Sequence, residues 1–287
     1  MSRKTVPTCT ASDWNEVWKY QQARHESSKL PEDKTHNWNN RESAERYDAN
    51  SRSEYDARIR MTLDGLTVTR GSRVLDIGAG PGTLAIPLAP RVSSVTVVEP
   101  GAGMVSLLKE RAAREGIATI RCVQKRWEEV DPGQDLTGPY DVVIASLSLT
   151  MEDIRASLQK MDAVAQGMVC LYWFADMPFW EKMHADLWEP LHGTPYYSGP
   201  KADCLFNVLY QMGIYPDVEM MPLDKEYRFS SREDMETFFN QRFNAQSVEQ
   251  QEIVHQYLAP LIRVEGGGIV ISGNSTFAKI WWKNSKD

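Results

Sequence analysis

The stretch from Arg73 to Pro100 constrains this chain most. It reads Arg73-Val-Leu-Asp-Ile-Gly-Ala-Gly-Pro-Gly-Thr83, then an apolar helical stretch, then Val95-Thr-Val-Val-Glu99. Val74, Leu75 and Ile77 make a short apolar run of the kind a strand buried on both faces needs. The run breaks into Gly78, Gly80 and Gly82, which let the backbone turn sharply and approach a ligand without a side chain between. The next helix starts at about residue 82, and its free N–H groups point back at the turn. About 17 residues past the last glycine, a second apolar run stops at Glu99. A carboxylate at the tip of the second strand is placed to accept hydrogen bonds from two ribose hydroxyls. The layout is therefore a nucleotide-binding strand–turn–helix–strand unit.

The spacing narrows the choice of nucleotide. A dinucleotide fingerprint is G-x-G-x-x-G. Here it is G-x-G-x-G, with Thr83 in the place of the third glycine and Asp76 two positions before the first. This resembles the class I S-adenosylmethionine-dependent methyltransferases, whose first motif is an acidic residue followed by G-x-G-x-G. The resemblance implies an α/β fold: a Rossmann-like, seven-stranded, mostly parallel sheet with one antiparallel strand, helices on both faces and a helical N-terminal lid. It implies S-adenosyl-L-methionine as cofactor and S-adenosyl-L-homocysteine as product. Asp76, Gly78, Ala79, Gly80 and Gly82 are then expected around the methionine portion, and Glu99 and Pro100 at the ribose. The loop after the third strand, Gln124-Lys-Arg-Trp-Glu-Glu129, is expected to cover the adenine through Arg126, Trp127 and Glu128. Lys125 and Arg126 stand where many members of the family have an acidic residue.

In chain order, residues 1–66 are read as the helical lid and 67–287 as the cofactor-binding domain. Ser12 or Asp13 caps a helix carrying Trp14 and Trp18. Glu26 to Thr35 is polar and reads as a loop. His36 to Tyr47 and Ser51 to Leu66 are helical, and Tyr47 or Tyr55 is the candidate aromatic near the methionine end. Strands are expected at about 73–77, 94–99, 119–123, 140–146 and 167–174, alternating with helices at about 82–90, 104–116 and 151–165. Such crossovers imply a parallel sheet with right-handed connections. The fourth strand ends at Ser146, Leu147 and Ser148, beside the first glycine turn, so Ser146 is a candidate site residue. The alternation is then interrupted. Asp176 to Pro200 carries Trp180, His184, Trp188, His192, Tyr196 and Tyr197, and is expected to wall the acceptor pocket. A helix follows from Lys201 to Met212, and a sixth strand lies within Tyr215–Phe229. Further helices run from Ser230 through Phe239 and over Val248–Arg263. Gly266 to Gly268 is a break. Gly273-Asn274 is read as a tight turn between two last strands.

Composition excludes several functions. A net charge of −7 with a pI near 5.4 and no long basic run argue against a nucleic-acid surface. No apolar run approaches the ~20 residues needed to span a bilayer. The N-terminus lacks a secretory h-region. The four cysteines show no C-x-x-C pair and are read as reduced thiols of a cytoplasmic protein. No cluster at metal-ligand spacing appears in the assigned pocket, so no metal is expected. The G-x-S-x-G elbow and the P-loop are absent. Methyl transfer needs mainly alignment of the nucleophile and sometimes a base. His184, His192 and Tyr47 are the candidates for that base. The expected acceptor is a small, largely planar molecule held between the N-terminal helices and the insertion. A protein side-chain acceptor, or a sensor that binds the cofactor without transferring methyl, are the alternatives.

Overall fold

The computed structural model describes residues 12–28 and 38–284, and only the backbone of residues 46 and 49–56. Residues 1–11, 29–37 and the side chain of Tyr55 lie outside the described set. So do most of the expected loop at 26–35 and the expected start of the second helix at His36.

Continuous apolar runs make the parallel strands, because both faces of such a sheet are covered. They are β1 (Arg73–Ile77), β2 (Ser94–Val98), β3 (Ile120–Val123), β4 (Tyr140–Ser146) and β5 (Ala165–Phe174). β6 (Asp217–Phe229), β7 (Ile262–Glu265) and β8 (Gly268–Lys283) complete an eight-stranded sheet. Its order is β3-β2-β1-β4-β5-β8-β6, with β7 beside β8. β8 runs antiparallel to β5, β6 and β7. The sheet is thus the expected mostly parallel one with an antiparallel strand near the chain end, plus one strand more than the seven expected.

The last reversal of the chain also lies elsewhere than expected. The chain does not reverse at Gly273-Asn274; β8 passes straight through. A Cβ on Gly273 would overlap the ring of Phe179, so this glycine makes room for a side chain. The reversal lies at Gly266 and Gly267, with φ of 58° and 82°. It pairs Glu265 with Gly268, as a two-residue hairpin with positive φ at both positions requires. The helix expected over 248–263 therefore ends early, and its tail becomes β7. The helix expected at 82–90 is also shorter, limited to α3 (Ala85–Leu88) and a single 3₁₀ turn.

Helices α4 (Ala102–Arg114), α5 (Pro132–Asp135) and α6 (Ile154–Val164) connect the parallel strands. Two apolar cores form, one on each side of the sheet. A third gathers around α7 (Phe179–His192), α9 (Arg232–Arg242) and α10 (Val248–Leu258), with Tyr227 of β6 and Ile271 of β8. The insertion expected at 176–200 is therefore built mainly from α7, packed into a core of its own. α8 (Ala202–Gln211) returns the chain to the sheet.

The N-terminal helices play different parts. α1 (Trp14–Ser28) is anchored in the core: Trp18 is fully buried and its Nε1 donates to Met151 O at 2.9 Å. It is no detachable lid. α2 (Arg41–Asp64) lies along the other side, over the glycine turn. Arg111 of α4 bonds Asp48 of α2 at 2.8 Å and Pro81 O at 3.0 Å. Both partners of that ion pair are largely shielded from water, where such pairs are screened least.

Candidate active site

The carboxyl ends of β1, β2 and β4 meet at one cleft, and strand geometry delivers the side chains to it. Gly78, Gly80 and Gly82 all adopt positive φ, at 71°, 55° and 83°. They do different jobs. A Cβ on Gly78 would overlap Ser148, whose Oγ donates to Ile77 O at 2.6 Å. A Cβ on Gly82 would stand 2.9 Å from both Ile86 and Leu108; that glycine lets α4 pack against the turn. Gly80 alone of the three faces open space, where the nearest atom is Cε1 of Tyr47 at 3.9 Å.

Glu99 closes the second side. It follows β2 directly and is nearly buried. Oε2 accepts from Gly80 N at 2.9 Å and Oε1 from Gly101 N at 2.8 Å. Burial raises its pKa, and these two N–H groups oppose that shift. One N–H on each oxygen leaves acceptor capacity for further donors. Asp76, 2% exposed in β1, has an Oδ2 atom that is buried with no hydrogen-bond partner. Burial first, and the charge of Glu99 second, push its carboxyl up from 3.8 to about 7. An orphaned carboxylate oxygen beside an open glycine turn suits a cationic donor.

The segment before α2 roofs this cleft. Trp38 O accepts from Gly103 N at 3.0 Å, and Asn39 Oδ1 accepts from Ala102 N at 3.0 Å. The orphan donors at the start of α4 are thus satisfied from the N-terminal segment. The rings of Trp38 and Tyr47 meet edge to face at 5.3 Å. Tyr47 therefore stands over Gly80, at the turn assigned to the methionine portion, while Ala79 is buried and Pro100 exposed at its rim. β4 ends in Ser146, and Leu147 follows with φ of 56°. A bulky residue held there marks a constrained backbone, next to Gly78 and Ser148.

The adenine loop departs from expectation. Trp127 is 2% exposed and belongs to the core. Its Nε1 donates to Ser157 O of α6 at 3.1 Å, so its face is spent on packing and no stacking surface remains. Arg126 and Glu128 are exposed, while Lys160 ties the loop down through Trp127 O, Glu128 O and Val130 O.

The structure places both histidines in the packing around α7. His184 Nδ1 donates to Trp180 O at 2.9 Å, and its ring packs on Phe243 at 4.9 Å. Burial, with Arg242 nearby, lowers its pKa to about 4. His192 packs on Trp188 at 4.6 Å. Both belong to α7 and its helical neighbours. The aromatic lining expected of the insertion is mostly core as well: Trp173 donates to Pro200 O and Trp188 to Thr194 Oγ1.

What lies over the carboxyl ends of β4 and β5 is α1 docked on the end of the insertion. His25 Nδ1 donates to Tyr197 O, and Tyr197 N donates to Ser28 Oγ, both at 2.9 Å. The Arg24 guanidinium stacks 3.5 Å from the centre of the Tyr197 ring. Beneath, the buried Glu181 accepts from Tyr196 OH, Ser198 Oγ and Lys201 Nζ at 3.1, 2.7 and 2.8 Å. Residues 196–201 are thereby fixed. Sequence reasoning missed Arg58, which is 8% exposed and whose Nη1 donates to Ser146 Oγ at 3.0 Å. Arg58 and Thr62 stand one turn apart on α2, and both are buried.

Comparison with known proteins agrees with this geometry. A family model described as "Methyltransferase domain" matches residues 74–166. An uncharacterized protein of Haemophilus influenzae is 27% identical over 77% of this chain and 79% of its own. The ribosomal RNA small subunit methyltransferase G of Serratia proteamaculans is 30% identical over 114 residues, 38% of this chain. This chain spans about half of that protein's length, 53%. Among solved structures, the YcgJ protein of Bacillus subtilis superposes with a TM-score of 0.56 at 14% identity, covering 81% of this chain and all of that one. No helix among the described residues is long and apolar enough to cross a membrane.

Proposed function

We propose that this chain, whose residues 74–166 match a methyltransferase-domain model, is a class I S-adenosylmethionine-dependent methyltransferase and that its acceptor is a small, largely planar molecule. When bound, S-adenosylmethionine supplies a methyl group already activated by a sulfonium. The residues present fit that cofactor. Gly80 offers a turn with no side chain in the way, Asp76 an orphaned carboxylate oxygen, and Glu99 acceptor capacity for the ribose hydroxyls. Tyr47 stands over the same turn, where an aromatic face attracts a sulfonium cation.

One observation supports a small acceptor above all. The carboxyl ends of β4 and β5 are roofed by α1 and residues 196–201, tied together through Arg24, His25 and Ser28. A covered strand end suits a small nucleophile held in line better than a folded macromolecule. The Serratia relative is named for an RNA substrate, but it matches over about half its length, and the net charge of −7 is poor for a polyanion. The test is incubation of the protein with methyl-tritiated S-adenosylmethionine and a fractionated cell extract. Label should appear in the small-molecule fraction. Label in precipitated protein or RNA would refute the small acceptor.

A further inference from the structure

A cavity of about 680 Å³ lies between α1 and residues 196–198. Small-molecule sites run to roughly 300–1,000 Å³, so a ligand of that class fits. Positions 17, 20 and 24 of α1 recur at helical spacing and share the side that lines it. Trp18 and Gln22 are buried on another side of the same helix. The described lining includes nothing from β1, β2 or β4, whose ends form the cofactor cleft.

The walls are fixed before any ligand arrives. Tyr197 is held to α1 through its backbone, by Ser28 Oγ and His25 Nδ1. Ser198 Oγ donates to the buried Glu181 at 2.7 Å. Tyr20 presents a ring that is 61% exposed. The charges of the lining are unevenly balanced. Asp13 is paired with Arg155 at 2.6 Å and Glu16 with Lys19 at 3.0 Å. Arg24 has no carboxylate partner among the described residues. Its Nη1 donates to Tyr20 OH at 3.1 Å, and its Cζ stands 3.5 Å from the centre of the Tyr197 ring. Both phenols are neutral at pH 7, so the cation has no counter-ion. A guanidinium stacked on a ring face keeps its N–H edge in plane, and that edge takes a carboxylate in two parallel bonds.

We propose that this cavity is a second small-molecule site, outside the cofactor cleft, and that its ligand is an aromatic carboxylate gripped by Arg24 with its ring against Tyr20. The ligand bridges α1 and residues 196–198, so its binding ties the helix more firmly to the insertion. The inference does not depend on the methyltransferase reading above.

The test uses the full chain. The probes are benzoate, 4-hydroxybenzoate and 2-naphthoate, each against its neutral amide, in ligand-observed NMR titrations with and without saturating S-adenosylhomocysteine. The parent should bind at least one acid about tenfold or more tighter than its amide in both conditions, and its melting temperature should rise with that acid. Arg24→Gln should abolish the preference, and Arg24→Lys should keep part of it. Tyr20→Ala removes an exposed ring, leaves the core intact, and should weaken acid and amide alike by about threefold or more. Melting temperatures and S-adenosylhomocysteine affinities show whether each variant is folded. Equal binding of acid and amide by the parent, or no binding of any acid, overturns the proposal. So does an undiminished preference in Arg24→Gln, or unchanged affinities in Tyr20→Ala. Loss of acid binding when S-adenosylhomocysteine is present overturns it too, since it would put the acids in the cofactor cleft.

Discussion

Asp76→Asn should make the cofactor-free protein more stable at pH 8 while weakening its hold on the cofactor. In the folded chain the Asp76 carboxyl titrates at about 7 instead of 3.8, because it is buried and faces the charge of Glu99. Between those two pH values the folded state holds a proton that the unfolded chain has released. Stability is therefore full below pH 4, falls as pH rises toward 7, and is flat above it. At about 1.4 kcal/mol per pH unit, ionised Asp76 costs the folded cofactor-free protein about 4 kcal/mol at pH 8. An asparagine carries no charge but leaves a buried amide short of partners, which costs about 1–3 kcal/mol. The net gain for Asp76→Asn should be about 1–3 kcal/mol at pH 8 and should vanish near pH 5. The bound cofactor reverses the sign, since its ammonium favours the carboxylate. Asp76→Asn should therefore weaken S-adenosylhomocysteine by about tenfold, or about 1.4 kcal/mol. The assay is a series of thermal melts from pH 5 to 8.5, with and without S-adenosylhomocysteine, on both proteins. If the two cofactor-free proteins show parallel pH profiles, or the variant is the less stable at pH 8, the reasoning is wrong.

Two further outcomes are expected. Glu99→Ala should weaken S-adenosylhomocysteine by about 2–3 kcal/mol in calorimetry; it should also lower the melting temperature, because Gly80 N and Gly101 N lose their acceptor. Unchanged binding would make Glu99 a structural residue only. Trp18→Ala should destabilise the fold by about 3–5 kcal/mol in urea titration, since the indole is fully buried and bonded to Met151 O; a loss below about 1 kcal/mol would restore α1 to the status of a detachable lid.

The parallel half of the sheet could be read from the chain because its strands are continuous apolar runs with punctuation at their ends. β1 and β4 fall where Val74–Ile77 and Tyr140–Ser146 place them, and the glycine turn with Glu99 follows from local spacing. What could not be read depends on contacts across the sequence. Gly273 looks like a turn residue until Phe179 is brought onto it. Trp127 looks like an adenine-stacking ring until the Ser157 carbonyl draws its N–H inward. His184 looks like a base until Phe243 and Arg242 surround it. Arg58 was overlooked because a single arginine in a polar helix carries no local signal. Its partner Ser146 lies 88 residues away.

The 16-residue strand β8 bears on how the molecule can move. Its last residues pair with β5 inside the cofactor half, from Phe277 to Lys283. Its first residues pair with β7 and with the end of β6, beside α7, α9 and α10. The two halves therefore share one unbroken girder of backbone hydrogen bonds, with no linker between them. Swinging the helical half aside would bend that girder and break its ladder, so the two halves are expected to move as one body.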